Sequence, residues 1–223
     1  MVTIEQLTIA DAPATWAALG FAVEDDACRI GDVRLRFAGR DAGRGLVGWT
    51  LRGTASTGLD GLPTARAQRD GSGRADTPGE PVTGTAAGVA APHPNGVTRI
   101  DHVVAVSPQL DRTVAALQAA GLDLRRIREE PTPAGAPRQA FFRLGAELLE
   151  VIQEPDEVAV RAGGPDRDAF FWGLALRCDD LDATVAALGE RASEVRDAVQ
   201  PGRRIASVRR VAGLALPVAL MTG

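Results

Sequence analysis

The 223-residue chain has no tyrosine and no lysine, so every one of its 25 basic side chains is an arginine. It has only two histidines and two cysteines. Cys28 and Cys178 lie far apart and neither has a C-x-x-C partner, which excludes a cysteine zinc site and a disulfide framework. Buried free thiols in a reducing compartment are the expected state. No run of residues approaches the roughly 20 apolar positions that span a bilayer. The first residues, MVTIEQLTIADAP, carry no basic region followed by an apolar run, so neither a signal peptide nor a membrane partner is expected. The chain contains no P-loop, no strand-linked G-x-G-x-x-G and no G-x-S-x-G. A net charge of -4 and a pI near 5.3 argue against a nucleic-acid partner, which selects a basic face. These absences leave a cytoplasmic globular protein, and the bias toward Ala, Gly and Arg reads as a GC-rich, bacterial genome.

What is present is a repeat. Thr15-Trp16-Ala17-Ala18-Leu19 recurs as Thr113-Val114-Ala115-Ala116-Leu117 and as Thr184-Val185-Ala186-Ala187-Leu188. Each copy follows an apolar run suited to a pleated, half-buried strand: TIEQLTIA, RIDHVVAV and FWGLALR. Asp111 and Asp182 stand where a first helical turn favours a carboxylate. Gly20 and Gly121 stand where a helix C-terminus wants a residue tolerant of positive φ. Short strand-like runs follow each helix: FAVEDDA, VRLRFAG and LVGWTLR in the first copy; LDLRRIRE, RQAFFRL and ELLEVIQ in the second; SEVRDAV, ASVRRVA and LPVALMT in the third.

The reading is an α+β protein of repeated β-α-β-β-β modules. An N-terminal diverged module occupies residues 1–53. A Gly/Pro-rich flexible linker follows at 54–96, too long and too poor in large apolar residues for a packed loop. The alternative there is a short surface turn at Leu59-Asp60-Gly61-Leu62-Pro63. Two paired modules, 97–160 and 168–223, complete the chain around the hinge at Arg161–Pro165. His93, inside the linker, is expected to be exposed and solvated.

Modules that open I-D-H-V-V and close G-x-E-L-L-E-V-I-x-E-P resemble the vicinal-oxygen-chelate superfamily, and within it the glyoxalase-like domain proteins. The resemblance covers Val97 to Thr222, and more weakly Val2 to Arg52. It implies a curved mixed sheet around a concave pocket, with helices on the convex side. It also implies that each module of a metal-dependent member offers one ligand on its first strand, His or Gln, and a Glu on its last.

His102 and Glu150 match those positions. Strand alternation puts Leu148, Glu150 and Ile152 on one face and Leu149 and Val151 on the other. The third copy departs, since Gly173 aligns with His102 and Ala219 (or Val218) with Glu150, and none of these can ligate. Gln6 aligns with His102 and would supply a third ligand if the first and second copies pair. The first copy's own last-strand position falls near Gly48 or Trp49, again without a ligand.

Two functions follow from the resemblance. One is a metal-free or weakly metal-assisted protein that binds a small organic molecule in an apolar, aromatic pocket. The other is an isomerase-, lyase- or dioxygenase-type enzyme using Zn, Ni, Mn or Fe as Lewis acid, with Glu150 moving a proton. Ligand contacts are expected from Phe141, Arg143 and Trp172. Against these stand the plainer readings: His102 and Glu150 as a satisfied polar pair, the aromatics as core, and Arg143 as a solvated strand residue. The first copy docks beside the other two or pairs in a homodimer.

Overall fold

Alternating sequences set the strands. In Val33-Arg34-Leu35-Arg36-Phe37 the apolar residues are buried and both arginines exposed, as a one-sided sheet requires. The structure is a computed structural model that describes residues 1–68, 92–132 and 135–223.

The second and third copies build one eight-stranded sheet. The second comprises β6 (Val97–Ser107), β7 (Asp123–Arg128), β8 (Gln139–Leu144) and β9 (Glu147–Gln153), with helix α2 (Leu110–Ala119) after its first strand. A short helix α3 (Asp156–Arg161) leads to β10 (Phe170–Cys178), α4 (Leu181–Leu188), β11 (Arg196–Asp197), β12 (Arg204–Ser207) and β13 (Val218–Met221). The order is β11-β12-β13-β10-β6-β9-β8-β7, and the two modules join edge to edge through antiparallel β6 and β10. Phe142, Leu149, Val151, Leu174 and Leu176 are fully or almost fully buried, in one cluster with Leu110, Val114 and Leu117 of α2 and Leu181 of α4. The helices therefore cover the convex face and leave the other face concave. Gly20 and Gly121 have φ of 80° and 90°, the positive values expected after a helix.

The first copy is built differently from the sequence reading. Its strands are β1 (Thr3–Ile9), β2 (Ala27–Ile30) and β3 (Val33–Phe37), with α1 (Pro13–Ala17) between the first two. FAVEDDA is not a strand, because Asp25 turns the chain in the left-handed region (φ 52°) and pairing begins only near Ala27. β3 lies parallel to β1, as β9 lies to β6. β4 (Leu46–Arg52) is therefore not the last strand of this copy. It runs antiparallel along the other edge of β1 and carries a parallel β5 (Thr64–Arg66). The five-stranded order β2-β3-β1-β4-β5 repeats the arrangement of β8-β9-β6-β10-β13.

Residues 54–68 are packed, which corrects the linker reading at that end. Leu59 and Leu62 are buried and belong to the same core cluster as the three modules. Asp60 accepts hydrogen bonds from Arg112 and Thr113 of α2. Residues 92–96 are also docked: Asn95 donates to the Leu19 carbonyl and accepts from Val97 N–H. Residues 69–91, the middle of the expected linker, lie outside the described residues. The repeated threonine has a structural role here, for Thr113 bonds Asp60 while Thr184 bonds the Asn95 carbonyl. Each ties a module to the chain entering from the N-terminal half.

His93 is buried rather than solvated. Its Nδ1 accepts from Ala22 N–H at 3.0 Å, and its ring meets Phe21 edge-on. Among the described residues Nε2 has no hydrogen-bond partner of ordinary geometry. Burial holds this imidazole below its usual pKa, and the Arg29 main chain offsets only part of that effect. Cys28 and Cys178 are both buried free thiols; burial pushes Cys28 up to about 12. No described helix is long and apolar enough to cross a membrane.

Candidate functional site

A β-bulge creates the site. Against β10, Ile100 pairs with Leu176 and His102 with Ala175, which leaves Asp101 as the extra residue. A bulge of this kind bends the strand and re-aims side chains. Asp101 and His102, although adjacent, thereby meet: Nδ1 of His102 lies 2.8 Å from Asp101 Oδ1. Asp101 also accepts from Arg177 (2.9 Å) and from Arg203. Burial would raise its carboxyl, but hydrogen bonds from His102 and Arg203 outweigh it and hold the group well below the usual carboxylate range.

Register places Glu150 on the same face, because Val104 next to Gly173 pairs with Glu150 on its other side. Its Oε2 lies 3.3 Å from His102 Nε2, and Gln139 donates to its Oε1. The expected sharing of a face by His102 and Glu150 is what the geometry shows. Burial pushes the Glu150 carboxyl above its usual value, against the opposing pull of His102 and Gln139. Nδ1 of His102 thus faces Asp101 while Nε2 faces Glu150. An imidazole set between two carboxylates in this way is a place where a proton could be held and passed to a ligand oxygen.

Phe141 pairs with Glu150 on β8 and carries the Arg126 guanidinium 4.7 Å above its ring. Arg143, two residues along, is exposed on this face, while Phe142 is fully buried beneath. Trp172 is half exposed, at a second bulge between Phe171 and Gly173, so it is not core. Phe171 instead packs on Trp49 of the N-terminal half.

Gly173 and Ala219 occupy the third-copy positions equivalent to His102 and Glu150, since Ala175 pairs with Ala219 as Val104 pairs with Glu150. The glycine has a steric cause. A Cβ at 173 would lie 2.6 Å from the Pro217 carbonyl oxygen, which accepts from Leu174 N–H. Any side chain there would force β10 and the turn before β13 apart.

Gln6 is not part of this site. It lies on β1 of the other sheet, between Arg34 and Thr50, and donates to Thr8. The two first strands sit in separate sheets, so the pairing that would have brought Gln6 to His102 does not occur.

A divalent metal at this place would have His102 Nε2 and Glu150 Oε2 as donors, and their 3.3 Å separation would suit a shared cation. Catalytic sites normally supply three protein ligands. Here the neighbouring carboxylate, Asp101, is held by two arginines, and Gly173 and Ala219 offer nothing. Among the described residues no group of three or more His, Cys, Asp or Glu is arranged to hold a metal. The donor set does not fit a tightly bound ion.

The two sheets correspond residue by residue. Ile4, Gln6 and Leu7 pair with Leu51, Thr50 and Trp49, and Glu5 is bulged; Ile100, His102 and Val103 pair with Leu176, Ala175 and Leu174, and Asp101 is bulged. Even the ion pair recurs, as Glu5–Arg52 and Asp101–Arg177. By the same register Arg36, not Gly48 or Trp49, is the counterpart of Glu150. β4 and β5 are thus the first and last strands of a fourth, abbreviated module. Gly48 stands where Gly173 does, with the Pro63 carbonyl in the place of Pro217.

Comparison with solved structures bears on the fold. A xylose isomerase-like TIM barrel/4-hydroxyphenylpyruvate dioxygenase fusion protein aligns over 99% of this chain and 48% of its own, at 16% identity and a TM-score of 0.55. The chain has the vicinal-oxygen-chelate fold. Methylmalonyl-CoA epimerase from Mycobacterium tuberculosis is similar over 57% of this chain and 89% of its own, at 24% identity and a TM-score of 0.45. A Streptomyces coelicolor methylmalonyl-CoA epimerase variant in complex with 2-nitronate-propionyl-CoA gives 57%, 98%, 24% and 0.45 for the same measures. No family model matches the sequence, and no curated protein matches it. At these identities the likeness speaks for the vicinal-oxygen-chelate fold alone.

The sequence held a signal for the fourth module. Gly48-Trp49-Thr50-Leu51-Arg52 parallels Gly173-Leu174-Ala175-Leu176-Arg177, and Leu62-Pro63-Thr64-Ala65 parallels Leu216-Pro217-Val218-Ala219. Arg29-Ile30-Gly31-Asp32 likewise parallels Arg143-Leu144-Gly145-Ala146. The helix motif drew attention away from these because the fourth module has no helix. Asp101 also escaped notice, since only the bulge brings it to His102.

Proposed function

We propose that the concave face of the C-terminal pair of modules binds a small organic molecule bearing an acidic group, with no requirement for a tightly held metal. The observation that carries this reading is the closure of the Gly173 position by the Pro217 carbonyl, which limits the metal-ligand set to His102 and Glu150. Arg143 would meet the acidic group, with Phe141 and Trp172 forming apolar walls. His102 and Glu150 would hold a proton between them at the floor, available to hydrogen-bond a ligand oxygen.

The second reading is a weak divalent site at His102 and Glu150 that assists binding or proton transfer, favoured by their 3.3 Å separation. One experiment separates the two. A panel of small organic acids is titrated while Trp172 fluorescence is followed, in chelator and again with added Zn, Ni, Mn or Fe. The metal-free reading expects binding in chelator that weakens in Arg143→Gln and Glu150→Gln. Binding that appears only with metal, and that His102→Ala removes, would overturn it in favour of the second.

A further inference from the structure

The N-terminal half has a cleft of its own. About 550 Å³ lies between the concave face of the five-stranded sheet and the β8–β9 turn, where Gly145 approaches Thr3. Its floor is a row of polar side chains in register on three neighbouring strands: Gln6 on β1, Arg34 on β3 and Arg29 on β2. The corresponding row in the C-terminal half is His102, Leu148 and Arg143. The same register positions therefore carry an amide and an arginine in one half where the other has a histidine and a leucine.

The charges do not cancel. Arg52 is matched by Glu5 at 2.6 Å, and this pair repeats the structural ion pair of the other half. Arg34 reaches Asp26 at only 3.4 Å and shares that carboxylate with Arg36 at 3.2 Å. Arg29 donates to a single main-chain carbonyl, that of Asp32. Among the described residues, two guanidinium groups therefore keep unused donors. Besides Glu5, the acidic residues lining the cleft are Asp32, in the β2–β3 turn next to Arg29, and Glu147, at the start of β9. Glu147 is buried, and burial, with the nearby Asp32 adding to it, raises its carboxyl.

We propose that this cleft is a second small-molecule site, taking a carboxylate or phosphate monoester whose anionic group is held by Arg29 and Arg34 and hydrogen-bonded by Gln6. Planar guanidinium groups on adjacent strands suit bidentate recognition of such oxyanions. The site is separate from the His102–Glu150 face and does not depend on its function.

The test is calorimetric titration of the full chain with inorganic phosphate and with succinate, which tell a phosphate from a carboxylate preference. Saturable one-site binding of at least one probe is expected. It should weaken by about tenfold or more in R29Q/R34Q, since each charge-assisted hydrogen bond lost costs about that much. A second variant, Gln6→Glu, should repel the same probe while circular dichroism shows a folded protein. H102A/E150Q should bind the probe as wild type does. The proposal is overturned if neither probe saturates at millimolar concentration. It is equally overturned if R29Q/R34Q binds within twofold of wild type, or if H102A/E150Q abolishes binding and so moves the anion to the other face.

Discussion

Replacing Gly173 by alanine tests both the duplicated architecture and the reason the third module lacks a ligand. The added Cβ would sit 2.6 Å from the Pro217 carbonyl oxygen, so β10 and the turn before β13 must part by several tenths of an ångström. That movement strains packing by about 1–3 kcal/mol. It also loosens the Leu174 N–H to Pro217 hydrogen bond, now 3.1 Å, which is worth about 1 kcal/mol net. Against this, a glycine to alanine change stabilises by about 0.4–1 kcal/mol through the unfolded chain. The balance is a loss of about 1.5–3 kcal/mol. Gly48→Ala is the internal control, because its Cβ would lie 3.2 Å from the Pro63 carbonyl and needs far less movement. Its net cost should be about 0–1 kcal/mol. In a chain of this size the two variants should differ in Tm by roughly 3–8 °C. Urea unfolding with a shared m-value gives the free energies directly. If Gly173→Ala is as stable as wild type, or Gly48→Ala is the worse of the two, the steric account of the missing ligand is wrong. Gly173→His, the change that would restore the family pattern, should fail for the same reason as alanine and more severely.

Glu150→Gln should be at least as stable as wild type at pH 7. A carboxyl raised by burial favours the folded state while protonated, and that contribution is lost as pH climbs past the ordinary range near 4.3. The variant's advantage should therefore shrink as pH falls toward 4; a constant difference across that range would refute the assignment. His93 is held neutral by burial, so the unfolded chain binds the extra proton and stability should fall as pH drops below about 6.5. His93→Gln should flatten that slope in denaturant unfolding between pH 8 and 5.5, and an unchanged slope would count against it. Asp101→Ala should cost about 3 kcal/mol, because it leaves Arg177 and Arg203 partly buried without their carboxylate. The counterpart Glu5→Ala should cost less than about 1 kcal/mol, since Glu5 and Arg52 are both about half exposed.

The sequence made the α+β repeat and the paired C-terminal modules legible, because helix spacing and strand alternation are local properties of the chain. Period-two alternation put Glu150 with Leu148 and Ile152, and Phe141 with Arg143, while His102 was matched to Glu150 through the family resemblance. Three features could not be read in that way. The Gly/Pro-rich composition after Arg52 suggested a flexible linker. Leu59 and Leu62 nevertheless bury against the rest of the core, and Asp60 bonds α2. Two leucines in a polar stretch carry no periodicity, so their burial rests on partners distant in sequence. The destination of β4 was equally hidden, since its alternation fits either edge of β1. Asp101 depended on a one-residue bulge, which reverses the face that alternation alone assigns.

The comparison between halves sorts the polar groups of the site by what they do. The bulged acid and its arginine occur twice, as Glu5 with Arg52 and as Asp101 with Arg177, so the pair belongs to the architecture of a two-module unit. The glycine under a proline carbonyl also occurs twice, at 48 and 173, and closes the same position in both halves. His102 and Glu150 occur once, their counterparts being Gln6 and Arg36. A largely buried imidazole–carboxylate pair is costly to keep, and nothing in the duplicated framework requires it. The half without it is folded by the same registers and the same ion pair. The architecture therefore does not account for the His102–Glu150 pair, which makes that face, rather than the bulge or the glycine, the place to look for a ligand.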